Sequence, residues 1–254
     1  MLLVIDVGNT NVTIGVFDKD TLVQSWRLST KIARTEDEYG IFLMNLLKEF
    51  KLDEEIKNAV ICSVVLPLTE MLEVAIKKYL KVDSLIVSHK IKTNVELKTD
   101  IPSQIGADRI ANATAAVSLY NAPAIVVDFG TATSFDIVNS KNEFIGGIIT
   151  AGMKIQAEAL SNKTSKLPKL NIEAVENVIG RNTIDAMLSG VVRGHAAMID
   201  GLITECEKEL GQKATIIATG GFSSVISKYL NRKFDYINPD LTLIGAKKLF
   251  ELNH

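Results

Sequence analysis

One phrase occurs twice in the sequence, and that repetition constrains the fold more than any other feature. Asp6-Val7-Gly8-Asn9-Thr10-Asn11-Val12-Thr13 follows the apolar run Leu2 to Ile5, and Asp128-Phe129-Gly130-Thr131-Ala132-Thr133-Ser134 follows Ala124 to Val127. In each copy an apolar strand ends in a carboxylate, then come a glycine and small hydroxyl or amide residues, then a second β-rich run, Thr13 to Phe17 or Phe135 to Val138. This order predicts a hairpin whose tight turn exposes backbone N–H groups. Such a turn suits phosphate. Glycine permits φ > 0 and close approach, N–H groups and hydroxyls donate to phosphate oxygens, and the strand-end carboxylate can hold a hydrated cation that bridges them. A single Asp-x-Gly turn is as often a plain hairpin; two copies half a chain apart predict two related lobes with a nucleotide between them.

The rest of the chain fills in those lobes. Residues 1 to 29 read as three strands in a meander, followed by a helix opened by the capping box Thr35-Glu36-Asp37-Glu38 and running to about Phe50. Ala59 to Val65 reads as a buried strand, Pro67 to Leu80 as a helix, and Ser84 to Ser88 as a short strand. Lys90 to Gln104 has no period and reads as a long loop, ending at Gly106-Ala107-Asp108-Arg109, which opens a helix. After Asn121-Ala122-Pro123 the meander repeats at Ile125 to Asp128, Thr133 to Val138 and Phe144 to Ile149. Gly146 to Gly152 leads into a helix to about Asn162, and Gly180-Arg181-Asn182-Thr183 opens a long helical stretch to Leu210. Within that stretch Gly190, Gly194, Ala197 and Gly201 predict close backbone packing. A strand over Ala214 to Ala218, the turn Thr219-Gly220-Gly221, a helix to Leu230, a strand over Phe234 to Ile237 and a last helix from Asp240 complete the pattern. Strand triplets followed by helices, twice, predict α/β lobes with mixed sheets, residues 1–121 and 122–254.

Composition excludes several classes. With 47% hydrophobic and 23% charged residues the chain has an ordinary globular balance. A net charge of -2 and a pI near 6.0 give no bulk basic surface for nucleic acid. The two cysteines, Cys62 and Cys206, have no paired spacing, and the three histidines make no ligand cluster. The start lacks a basic n-region, and no apolar stretch approaches the roughly 20 residues of a membrane span. A cytoplasmic location is the expectation.

With both Asp-x-Gly turns, Gly106-Ala107-Asp108-Arg109, Gly146-Gly147 and Gly220-Gly221 in this order, the sequence resembles type III pantothenate kinases over essentially its whole length. These belong to the superfamily of acetate and sugar kinases, Hsp70 and actin, so the resemblance implies two ribonuclease-H-like lobes around ATP. It implies that Asp6, Val7, Gly8, Asn9, Thr10, Asn11, Val12 and Thr13 form the first phosphate motif, with Asp6 holding magnesium through water. Asp128, Gly130 and Thr131 would form the second, with Asp128 a ligand of a monovalent cation, potassium or ammonium. Gly106, Ala107, Asp108 and Arg109 would line the pantothenate pocket, with Asp108 as the base for the substrate hydroxyl. Thr183 would reach substrate from the neighbouring subunit of a homodimer, and Gly220 and Gly221 would serve the adenosine side. Thr99 stands where many members have an aromatic residue, and Ala151 where many have proline.

The residues support that chemistry on their own terms. Phosphoryl transfer asks a protein mainly to position groups and neutralise charge, and a carboxylate beside the attacking hydroxyl suffices as base. At a helix N-terminus Asp108 is expected to be readily ionised and so a weak base. Arg109 has the planar fork that suits a carboxylate or a phosphoryl group. The implied reaction is ATP-dependent phosphorylation of pantothenate, the first step of coenzyme A biosynthesis. Two alternatives remain: a nucleotide-binding regulatory protein of the accessory-factor kind on the same scaffold, and a kinase of another small hydroxylated acceptor. The triplet Asp128-Phe129-Gly130 does not make a protein kinase, since no His-Arg-Asp loop accompanies it, and no P-loop motif is present.

Overall fold

The computed structural model describes residues 1–31 and 33–254. The chain forms two units, Met1–Ser118 with Leu241–His254, and Leu119–Asp240. The opening meander is β1 (Leu2–Val7), β2 (Asn11–Asp18) and β3 (Thr21–Ser29), followed by helix α1 (Glu36–Glu49), β4 (Asn58–Ser63), α2 (Leu66–Leu80) and β5 (Ser84–Ile86). The loop beyond carries a two-residue strand, β6 (Glu96–Leu97), and a 3-10 turn at Pro102–Gln104 before α3 (Ala107–Leu119). The second meander is β7 (Ala124–Phe129), β8 (Ala132–Val138) and β9 (Glu143–Ala151). Then come α4 (Met153–Lys163), α5 (Thr183–Leu188), α6 (Gly194–Leu210), β10 (Thr215–Thr219), α7 (Ser223–Ile226), β11 (Tyr236–Ile237) and α8 (Leu241–Asn253).

The repeated phrase becomes a repeated topology. In the first unit the strand order is β3-β2-β1-β4-β5, and in the second the same order recurs as β9-β8-β7-β10-β11. The central strand is antiparallel to its hairpin partner and parallel to the crossover strand in both cases. Hence Asp6 lies opposite Thr13 on β2 and Cys62 on β4, and Asp128 lies opposite Ser134 on β8 and Thr219 on β10. Burial on both faces explains why β1, β4 and β7 are near-continuous apolar runs rather than alternating ones.

Each sheet buries its alternate side chains against helices. Leu3, Ile5 and Val7 pack with Tyr39, Leu43 and Leu47 of α1 and Leu68, Leu72 and Ile76 of α2. The opposite face, with Leu2, Val4, Val60 and Cys62, packs against Ala107, Ile110 and Ala111 of α3 and Leu243, Ala246 and Leu249 of α8. In the second unit Ile125, Val127, Phe129 and Phe135 pack against Val192, Ala196, Ile199 and Ile203 around α6. The capping box of α1 is complete, with Thr35 accepting from the Glu38 amide and the Glu38 side chain accepting from Thr35 N.

Five expectations need correction. The last helix was expected in the second lobe, yet α8 packs on the first sheet, where Gly245 comes so close to α3 that an added Cβ would lie 2.0 Å from the Ala111 carbonyl oxygen. The stretch from Thr183 to Leu210 is not one α-helix: a π turn at Ser189–Arg193 separates α5 from α6. Gly190, Gly194, Ala197 and Gly201 are exposed, and a Cβ at any of the three glycines would meet nothing within 4 Å. The helix expected to reach Leu230 ends at Ile226, and the strand expected from Phe234 is only Tyr236–Ile237.

Candidate functional site

The first turn is held from beneath. Gly8 N donates to the Asn11 carbonyl at 2.9 Å, closing the hairpin between Val7 and Val12. Thr30 takes the other acceptors: its hydroxyl donates to Gly8 O at 2.6 Å and its amide to Thr10 O at 2.9 Å. Both carbonyls are thereby directed at protein, and the exposed rim of the turn is Asn9, Thr10 and Asn11. Neither Gly8 nor Gly130 has a positive φ, so the conformational reason expected for glycine does not apply at either position.

In the same unit the structure brings Asp6 and Asp108 around one residue, Cys62. Its thiol is fully buried, and burial first, then the Asp6 and Asp108 carboxylates, push it well above its ordinary range. Sequence reading passed over Cys62 as an unremarkable strand thiol. The only available signal was its place at the end of a parallel strand, beside Asp6 in register.

The Gly-Ala-Asp-Arg block opens α3 as expected. The Arg109 and Ile110 amides both donate to Gly106 O, and Asp108 Oδ1 accepts from the Arg109 amide at 2.8 Å. Gly106 makes room for that carboxylate, since a Cβ there would lie 2.4 Å from Asp108 Oδ1. Ala107 is buried in the core beneath. The electrostatics differ from the expectation of a weak, easily ionised base: burial raises the Asp108 pKa, against the opposing pull of the Arg109 amide and guanidinium. Desolvation by the surrounding core outweighs the helix-terminus effect. Thr99 lies in the preceding loop, and its Oγ1 is buried with no hydrogen-bond partner among the described residues.

The second unit gathers three glycine turns around Asp128. Gly130 and Thr131 are exposed between β7 and β8. Gly152, the N-cap of α4, lies so close beneath them that a Cβ would sit 2.3 Å from Thr131 O and 2.9 Å from Gly130 O. Gly220, with φ +85°, packs on the strand end itself, and only glycine combines that dihedral with that approach. Gly221 follows it, exposed, ahead of α7. Thr183 is also exposed. It is the first residue of α5, whose N-cap is Asn182 accepting from the Asp185 amide at 2.9 Å, so Thr183 is not the cap.

Among the described residues, no three His, Cys, Asp or Glu side chains converge into a metal site, and no helix is long and apolar enough to cross a membrane. Single carboxylates at two strand ends fit a hydrated ion that also binds phosphate, the habit of magnesium, rather than an all-protein cage.

The sequence model of the type III pantothenate kinase family matches residues 2–205. The chain belongs to that family. Solved structures agree on the fold. A conserved protein described as a Baf family transcriptional activator from Campylobacter jejuni is 21% identical, with 99% of this chain and 98% of that one covered and a TM-score of 0.63. Component A of (R)-2-hydroxyglutaryl-CoA dehydratase from Acidaminococcus fermentans is 12% identical over 100% and 99% of the two chains, with a TM-score of 0.57. A ROK family glucokinase from Streptomyces griseus, solved with glucose and AMPPNP, is 12% identical over 97% and 98%, with a TM-score of 0.56. The type III pantothenate kinase family and the actin-like ATPase fold thus account for the repeated β-β-β units around Asp6 and Asp128.

Proposed function

We propose that the protein transfers the γ-phosphoryl group of ATP to the primary hydroxyl of pantothenate. The observation that carries this reading is the pair of carboxylates, Asp6 and Asp108, around Cys62 in a chain of this family. Asp6 belongs to a phosphate-type turn, and Asp108 is a carboxylate made more basic by burial. Asp108 accepts the hydroxyl proton as the oxygen attacks the γ-phosphorus and the bond to the β,γ-bridging oxygen breaks, releasing ADP. Arg109 steadies the acceptor carboxylate or the phosphoryl oxygens, and the Thr99 hydroxyl offers a hydrogen bond to the acceptor.

In the first unit Asp6 with Val7 to Thr13 is the phosphate turn; in the second, Asp128 with Thr131 is its counterpart, with Gly220 and Gly221 serving the adenosine. Magnesium and a monovalent cation would be held through Asp6 and Asp128, supplying positive charge that neither turn contains. A homodimer fits Thr183's role at a neighbouring subunit's site. Its support is the exposed apolar group Val178, Ile179 and Ile184 in the same unit as the uncovered face Gly190, Gly194, Ala197 and Gly201. Light scattering at micromolar concentration tests this, and a monomer mass would count against it. The location proposed is the cytoplasm, where the substrates of such a kinase are found.

A second reading, a nucleotide-binding regulator without an acceptor, has the description of the Campylobacter protein on its side. Asp108 argues against it, since a pure switch has no need of a half-buried carboxylate whose pKa is raised by desolvation. A coupled assay of ADP release across a panel of small hydroxylated acids and sugars decides between them. Pantothenate alone should drive turnover; equal turnover with a sugar, or none with any acceptor, overturns the assignment.

A further inference from the structure

Of the three histidines only His195 is buried, at 2% exposure, and nothing in the proposed reaction uses it. It reaches from α6 to the face of β7 and β8 that carries Phe129, whose ring it meets edge-on at 6.2 Å between centroids. Both ring nitrogens are engaged. Nε2 lies 3.0 Å from Thr133 Oγ1, and Nδ1 lies 3.0 Å from Gln156 Nε2, which also donates to Ala151 O at 2.8 Å. An amide NH2 can only donate, so Nδ1 must accept, and the neutral ring then carries its proton on Nε2 and donates to Thr133. Burial keeps the ring neutral by holding its pKa down to about 4.

The two ends of this network fall on β8, the strand that leaves the second turn, and on the end of β9, which pairs with the start of β8. Thr133 pairs with Phe129 across the Gly130–Ala132 loop, and Ala151 pairs with Ala132 and precedes Gly152, the residue pressed against Thr131 O. A buried neutral histidine needs a partner at each ring nitrogen, and here the two hydrogen-bonded routes lead to the segments on either side of Gly130 and Thr131. We propose that His195 is a positioning residue, holding the Gly130-Thr131 turn, through Thr133 on one side and Gln156 with Ala151 on the other, in the conformation that grips nucleotide phosphate. The inference rests on the phosphate-binding reading of that turn.

The test uses His195→Phe, which keeps the volume and the Phe129 contact but removes both hydrogen bonds, with His195→Gln and Thr133→Val as companions. Affinity for a non-hydrolysable ATP analogue is read by calorimetry without acceptor, alongside kcat and KM for ATP and acceptor. Two hydrogen bonds of ordinary worth predict that His195→Phe loses about tenfold or more in analogue affinity and ATP KM. The acceptor KM should stay within about twofold, and His195→Gln should recover most of the loss. Thr133→Val should act alike, and the double variant should be little worse than either single one. The ring 15N shifts of the wild type should report the Nε2–H tautomer. Unchanged analogue affinity in His195→Phe, or an Nδ1–H tautomer, overturns the proposal; if His195→Phe fails to fold, His195→Gln and Thr133→Val decide it. A wild type that binds no analogue removes the nucleotide reading itself, whereas a wild type that binds it as well as every variant removes only the role of His195.

Discussion

Gly220 sits against Asp128: a Cβ at Gly220 would lie 2.7 Å from Asp128 Oδ1 and from the backbone nitrogen of Phe129. The contact follows from the parallel pairing of β10 with β7, which puts Thr219 opposite Asp128 and drops the next turn onto the strand end. Gly220→Ala therefore meets both an unfavourable dihedral and a steric block. It should lose about 1–3 kcal/mol of stability together with affinity for nucleotide. Thermal denaturation and analogue binding check this, and an unchanged Tm would show that the turn can move aside.

Asp108→Asn should lower kcat by about two to four orders of magnitude, the usual worth of a positioned base, and leave nucleotide binding nearly intact. The same substitution should raise Tm. A carboxyl whose pKa is raised by folding is neutral at no cost below its unfolded pKa and costs stability once pH rises through its folded pKa, so at neutral pH its removal is a gain. Loss of activity together with a lower Tm would mark Asp108 as structural.

The raised pKa also sets the acid limb of the rate profile. Because the proposed base must be ionised, kcat/KM should fall with decreasing pH at a value raised from that of an ordinary aspartate. A limb at or below the ordinary aspartate value would contradict a desolvated base.

Activity should require potassium or ammonium in addition to magnesium. ATP brings about four negative charges, and neither turn, Asp6 to Thr13 or Asp128 to Ser134, contains a lysine or arginine. Assays in tetramethylammonium buffer with magnesium, titrated with potassium, should show activation in the wild type and a much weaker response in Asp128→Asn. Full activity without the monovalent ion would remove Asp128 from that role.

His195 should leave a signature in stability as well. With its pKa lowered to about 4 from an ordinary 6.5, its contribution is complete above about pH 6.5 and is lost as pH falls toward 4, where the unfolded chain takes a proton that the folded one refuses. The Tm difference between wild type and His195→Phe should shrink over that window. A difference independent of pH would mean that folding leaves the pKa of the ring unchanged, against its burial.

Much of this molecule was readable from local pattern. The alternation of apolar runs with Asp-x-Gly turns specified both meanders, the Thr35-Glu38 box set the start of α1, and the doubling of the phrase specified two copies of one topology, because each depends on residues close in sequence. The tertiary structure decided what depends on distant neighbours. Nothing in α8 itself says which sheet it covers; that follows from the fit of Gly245 to the Ala111 carbonyl and of Leu243 and Leu249 to the first core. Asp108 reads as a readily ionised helix-start carboxylate, and only the packing around it raises its pKa. Cys62 and His195 looked idle for the same reason: register places one beside Asp6, and burial with two well-placed partners makes the other a fixed tautomer. Hydrophobic period and turn chemistry are local quantities, whereas solvation and hydrogen-bond partnership belong to the folded surroundings.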